Sequence, residues 1–142
     1  KIRNPKSTRP WQHVLEPLSG YITLSYQLKK NKNINGGSFN FGPNINEVAT
    51  VKKVLQISQK YWKEAKFKIY KEKFFREDPL LRLNSTKSQK ILKWKKILNL
   101  EKTLELTMTW YNDFYKSNIK VSELLNRDLN YFLKLKQNLI ND

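Results

Sequence analysis

The sequence predicts an α/β fold in which helices alternate with short strands, and three observations carry that prediction. Apolar residues recur at helical spacing in several distinct stretches, short β-type runs lie between them, and clusters of Gly, Asn and Pro separate each stretch from the next. With 142 residues the chain has length for one modest core, so residues 1–142 are read as a single domain without internal repeats.

Taken in order, Lys1 to Pro5 reads as a strand end and Lys6 to Pro10 as a polar loop closed by proline. Val14, Leu18, Tyr21, Ile22, Ser25 and Leu28 then predict a helix of about four turns, with Pro17 near its start, where a missing N–H costs little. Asn31 to Ser38 is a Gly/Asn/Lys loop, and Phe39-Asn40-Phe41-Gly42-Pro43 reads as a compact strand ended by a sharp turn. From Glu47, the residues Val48, Val51, Val54, Leu55, Ser58 and Trp62 again follow a helical stripe. Phe67 to Tyr70 alternates like a half-buried strand, Leu80 to Leu83 is a second extended candidate, and Ser85 to Leu92 is a short helix with Ser or Thr for its cap. Leu100, Leu104, Met108, Tyr111 and Tyr115 define the clearest helix, with Asn99 as its cap, and residues 121–142 form a last amphipathic helix.

No apolar run reaches the roughly 18 residues of a membrane span, and the first residues do not read as a targeting leader, so a soluble cytoplasmic protein is expected. The chain has no cysteine and one histidine, His13, so neither a disulfide nor a thiolate or His-rich metal site is expected. Its formal net charge of +16 is a credential for a nucleic-acid or polyanion-binding module. Against that, the 23 lysines outnumber the 5 arginines and are dispersed from Lys1 to Lys136, alongside heavy use of Asn and Ile. All three residue types have A/T-rich codons, and a polyanion site normally concentrates charge on one face. No nucleic-acid partner is therefore expected.

The block Arg9-Pro10-Trp11-Gln12-His13-Val14-Leu15-Glu16-Pro17 packs an arginine, an indole, an amide, an imidazole and a carboxylate just ahead of a helix. An arginine fork can donate two parallel hydrogen bonds to a diphosphate, and a following helix start adds backbone N–H groups. The competing reading is a surface ion pair for Arg9 and a core gap filled by Trp11. No Gly-x-Gly-x-x-Gly turn, P-loop or serine nucleophile elbow occurs.

Together with Ile2-Arg3-Asn4-Pro5, this block and its continuation Leu18-Ser19-Gly20-Tyr21 closely resemble the CDP-glucose 4,6-dehydratases, members of the extended short-chain dehydrogenase/reductase group. Phe39-Asn40-Phe41-Gly42-Pro43 is similar to the family's Trp/Phe-Asn-Phe-Gly-Pro element. Later stretches follow in family order: Glu77, then Leu81-Arg82-Leu83-Asn84-Ser85-Thr86-Lys87, then Leu92-Lys93-Trp94, then Thr107-Met108-Thr109-Trp110-Tyr111. Asn84, Asp78, Ser88 and Lys93 depart from it, standing where the pattern has Asp, Ala, Ala and Gly.

The resemblance implies the carboxy-terminal, substrate-binding part of a Rossmann-type fold. In the whole enzyme it implies an NAD-dependent conversion of CDP-glucose to CDP-4-keto-6-deoxyglucose, with a homodimer left open; another sugar-nucleotide epimerase or dehydratase is the near alternative. It further implies Arg9 on the diphosphate, Asn40 and Glu77 lining the nucleotide–sugar pocket, and Arg3 near the nucleobase or diphosphate. Trp11, Gln12 and His13 would shape the loop. The family's cofactor turn and Tyr-x-x-x-Lys pair fall upstream of these residues, so no catalytic or cofactor role is assigned here and the chain alone is expected to be inactive.

Overall fold

A chain with few strong strand signals closes two small hydrophobic clusters around a loop rich in polar groups. The computed structural model describes residues 1–70 and 80–141, with side chains described to Leu139. Strand β1 (Thr8–Arg9) pairs antiparallel with β2 (Ala49–Thr50), Thr8 opposite Thr50 and Arg9 opposite Ala49. The described residues form five α-helices: α1 (Leu15–Lys30), α2 (Val51–Tyr61), α3 (Thr86–Leu92), α4 (Leu100–Lys116) and α5 (Val121–Asn141). A 3-10 turn, Lys32–Ile34, closes α1. The architecture is thus mixed α/β but mostly helical, with one two-stranded sheet among the described residues.

Several strand expectations are corrected. The loop expected at Lys6 to Pro10 contains β1, whereas the strand end expected at Lys1 to Pro5 contributes only a parallel bridge between Ile2 and Ile69. That bridge is also all that Phe67 to Tyr70 contributes, and Leu80 adds one more, to Thr8. Phe39 to Pro43 joins no ladder among the described residues. Three successive carbonyls of that segment are instead taken by side chains: Ser88 Oγ donates to Asn40, Gln12 Nε2 to Phe41 at 2.8 Å, and Ser85 Oγ to Gly42 at 3.1 Å. Buried backbone groups must find partners, and here hydroxyls and an amide replace a neighbouring strand. The helix expected from Glu47 begins four residues later, because Ala49 and Thr50 extend to pair with β1. Thr50 then caps α2 by accepting from Lys53 N at 3.1 Å, and Trp62 is the residue after its end.

α1 is turned the other way from its apolar stripe. Val14, Leu18, Tyr21 and Ile22 are exposed, Ile22 by 70%, while Glu16, Ser19 and Gly20 are buried. The reason is the partner: Phe41 presses its ring so close that a β-carbon at position 20 would lie 2.4 Å from Phe41 Cδ1, so only glycine fits. Phe41, Leu92 and Trp94 form one cluster, with Leu24, Ile34 and Phe39 against it, and Trp94 meets Phe41 edge-on at 5.3 Å. The Trp94 indole N–H is satisfied by Ser19 Oγ at 3.0 Å. Val54, Ile57 and Leu104 form the second cluster, where α2 crosses α4, with Trp11 packed against it from the loop before α1. α5 packs on α4, and its Leu124 and Phe132, about two turns apart, are almost fully buried. No helix among the described residues is long and apolar enough to cross a membrane.

Candidate functional site

The loop from Arg9 to His13 is fixed at every step. Trp11 N donates to Arg9 O at 3.0 Å, and the Trp11 indole N–H donates to Ala49 O at 3.0 Å, pinning the loop to β2. Gln12 reaches across to Phe41 O, tying the same loop to the segment that carries Asn40. His13 O accepts from Glu16 N at 3.0 Å and His13 Nδ1 accepts from Leu15 N at 3.3 Å, so the ring tops the first turn of α1. That bond places the neutral imidazole's proton on Nε2. Burial holds the His13 pKa below its ordinary value, against the opposing pull of the Asp128 carboxylate.

Arg9 is half-buried on β1, and its Nη1 donates to Thr8 O at 2.8 Å, which fixes the side chain along the strand. Arg3 is exposed, one residue after the Ile2 bridge. Asn40 is exposed as well, and its Nδ2 donates weakly to Asn84 O at 3.4 Å. Glu77 lies outside the described residues. The structure therefore links the Arg9 loop to the Asn40 segment through Gln12.

Under the loop lies a cavity of about 390 Å³, walled by Gln12, His13, Thr107, Trp110, Tyr111 and Asp128 among others. Such a volume, mostly apolar with a few convergent polar groups, is the usual form of a small-molecule site. Asp128 was not singled out by sequence reasoning, although a signal existed: it stands midway between Leu124 and Phe132 on the buried stripe of α5. A carboxylate there needs a partner, and Arg127 Nε supplies it at 2.9 Å while also pairing with Asp113. Among the described residues no group of His, Asp or Glu is arranged to hold a metal ion.

Glu16 is the other buried carboxylate. Fully enclosed, its Oε1 accepts from Ile97 N at 2.9 Å and Leu98 N at 2.6 Å, fastening α1 to the segment before α4, while Oε2 has no hydrogen-bond partner. Burial pushes its pKa up, against the two backbone donors and Lys96, which pull it down.

Tyr26 and Lys30 happen to share the Tyr-x-x-x-Lys spacing of a dehydrogenase catalytic pair. The ammonium lies 4.3 Å from the centre of the Tyr26 ring, on the exposed last turns of α1, a surface cation–π contact.

No family model matches this chain. Comparison with individual proteins relates it to a dehydratase, with which it aligns over 111 residues at 35% identity. That relative is the CDP-glucose 4,6-dehydratase of Salmonella typhimurium (strain LT2), and this chain is homologous to its carboxy-terminal part. The match covers 78% of this chain and 31% of the relative, so the chain spans about a third of the length of the protein it resembles.

Proposed function

We propose that this chain is the sugar-nucleotide-binding part of a CDP-glucose 4,6-dehydratase. The observation that carries the reading is the ordered match to the carboxy-terminal part of such an enzyme over most of the chain. The geometry supports it in kind. Arg9 is held on a strand whose following loop is pinned by Trp11 and Gln12, so a guanidinium is presented from a fixed frame rather than from a mobile loop. A fixed donor set costs little reorganisation when a diphosphate gives up its water, and binding energy gathered there can orient a hexose for chemistry elsewhere.

NAD does not fit this chain's own residues. A dinucleotide cradle needs glycines at a strand-to-helix turn. Here Gly20 is inside α1 against Phe41, Gly36 and Gly37 lie in the loop after the 3-10 turn, and Gly42 abuts Leu83. Redox chemistry would then belong to another part of the enzyme. The exposed apolar row of Val14, just before α1, with Leu18, Tyr21 and Ile22 on it, suits a chain that packs against further polypeptide.

Arg9→Ala in a whole enzyme containing this segment tests the reading. If Arg9 binds diphosphate, loss of a charge-assisted contact weakens binding by roughly 2–5 kcal/mol. Calorimetric titration should show CDP penalised most and cytidine hardly at all, with lysine at this position restoring only part. An equal penalty for CDP, CMP and cytidine, or none, removes Arg9 from the site. In that case it is a structural partner worth no more than about 1 kcal/mol of stability.

A further inference from the structure

We propose that the chain carries a second, anion-binding site, and that it takes a compact phosphate-bearing molecule. The site is the cavity of about 300 Å³ where Lys93 and Lys95, just after α3, face Lys136 near the end of α5 across Trp94, Ile97 and Leu139. It shares no lining residue with the cavity under the Arg9 loop.

Three observations converge. First, no carboxylate lines the cavity, and none of the three lysines makes an ion pair among the described residues. By contrast Lys60, Lys96, Lys102, Lys116 and Arg127 each sit on an acidic side chain. Three lysines on one cavity, with no counter-charge among the described residues, give it a positive potential that suits an anion of two or more charges.

Second, Lys93 ends α3 with φ at 57°, the left-handed conformation in which a side chain is strained and glycine is relaxed. Local backbone conformation favours glycine there, yet the position holds the residue that adds a cation to the cavity.

Third, the walls are apolar: Trp94 is buried, and Ile97 and Leu139 flank it. Charge facing a low-dielectric wall acts more strongly than the same charge on an open surface.

The chemistry of the ligand follows. Lysines are point charges with rotatable donors, suited to the several oxygens of a phosphate rather than to the planar fork contacts arginine makes with a carboxylate. The volume stands at the lower end of small-molecule sites, which favours a phosphate ester or pyrophosphate over a polymer laid along a stripe.

The probe is inorganic pyrophosphate, titrated calorimetrically into the 142-residue chain at about 50 mM salt, where screening is modest. Saturable one-to-one binding is expected in the Arg9→Ala chain, where the diphosphate contact proposed above is removed, and the lysine variants are compared in that background. Lys95→Gln with Lys136→Gln should weaken it at least about tenfold. The control, Lys52→Gln with Lys53→Gln at the start of α2, removes equal charge and should weaken it no more than about twofold. Lys93→Gly separates binding from folding: affinity should fall several-fold while the melting temperature rises by about 2–4 °C. Equal losses for both lysine pairs would reduce the site to diffuse charge and overturn the proposal, as would the absence of saturable pyrophosphate binding. A lower melting temperature for Lys93→Gly would remove the strain that singles out Lys93, and would also count against it.

Discussion

Replacing Glu16 by alanine should be among the most damaging changes in the chain that leave Arg9 and Asn40 in place. The carboxylate is fully enclosed, and its Oε1 is the acceptor for both Ile97 N and Leu98 N. Alanine leaves the buried Leu98 N–H and the partly buried Ile97 N–H without their partner, a loss of about 1–3 kcal/mol for a fully buried donor, while relief of the carboxylate's desolvation returns some of the sum. A net loss of about 2–4 kcal/mol is expected. Glutamine distinguishes acceptor from charge: its Oε1 can serve both donors, and its NH₂ replaces the Oε2 that has no partner. Glu16→Gln should therefore stay within about 1 kcal/mol of the parent. The sign of the pH dependence follows from the raised pKa. Between the unfolded and folded pKa values the native state binds more protons, so this group's contribution falls as pH rises through that window. Urea unfolding of parent, Glu16→Ala and Glu16→Gln at several pH values would measure all three effects, the parent losing ground to Glu16→Gln as pH rises above the ordinary carboxylate range. If Glu16→Gln were as damaging as Glu16→Ala, the anion itself, through Lys96, would be what the fold requires, and the account of Oε1 as the essential acceptor would fail.

Two further outcomes follow from buried groups. Gly20→Ala drives a methyl into the Phe41 ring and should cost about 1–3 kcal/mol, with Phe41→Leu in the same chain recovering some of it in a double-mutant cycle; strictly additive effects would deny the contact. His13, held neutral by burial, has the opposite pH sign to Glu16: its contribution is complete above the ordinary histidine pKa and is lost as pH falls through the lowered value. His13→Gln should flatten the stability change between about pH 7 and pH 5, and an unchanged slope in denaturant midpoints would show that the ring protonates without cost.

Much of the helical content was legible, and for definite reasons. The period running from Leu100 to Tyr115 located α4, and Asn99 caps it as expected, accepting from Lys102 N at 2.8 Å. α3 was legible too, but its cap is subtler: Ser85 turns its hydroxyl to Gly42 O, and the side chain that accepts from Thr86 N is Asn84. That bond gives the Asn84 departure a local role, since an amide oxygen accepts there as a carboxylate would. Periodicity failed at α1 because it groups residues on a face without saying which face is covered; a buried Glu16 fixed by backbone 81 residues away leaves no local trace. β1 and β2 were illegible because two residues cannot display an alternation. The Arg9 loop stood out through its chemistry, whereas Asp128 under it showed in the sequence only as a carboxylate between Leu124 and Phe132 at helical spacing.

The saturated carbonyls of Asn40, Phe41 and Gly42 bear on the behaviour of the chain in concentrated solution. An extended, aromatic segment with open backbone acceptors is a template onto which a second molecule can add a strand, and proteins commonly protect such edges with charge, proline or cover. Here the acceptors already hold hydrogen bonds from Ser88, Gln12 and Ser85, and Pro43 ends the run without an N–H to offer. Side chains thus serve as the cover, and an incoming strand on either side of the segment would meet acceptors that are already engaged before it could begin a ladder and, with it, an aggregate.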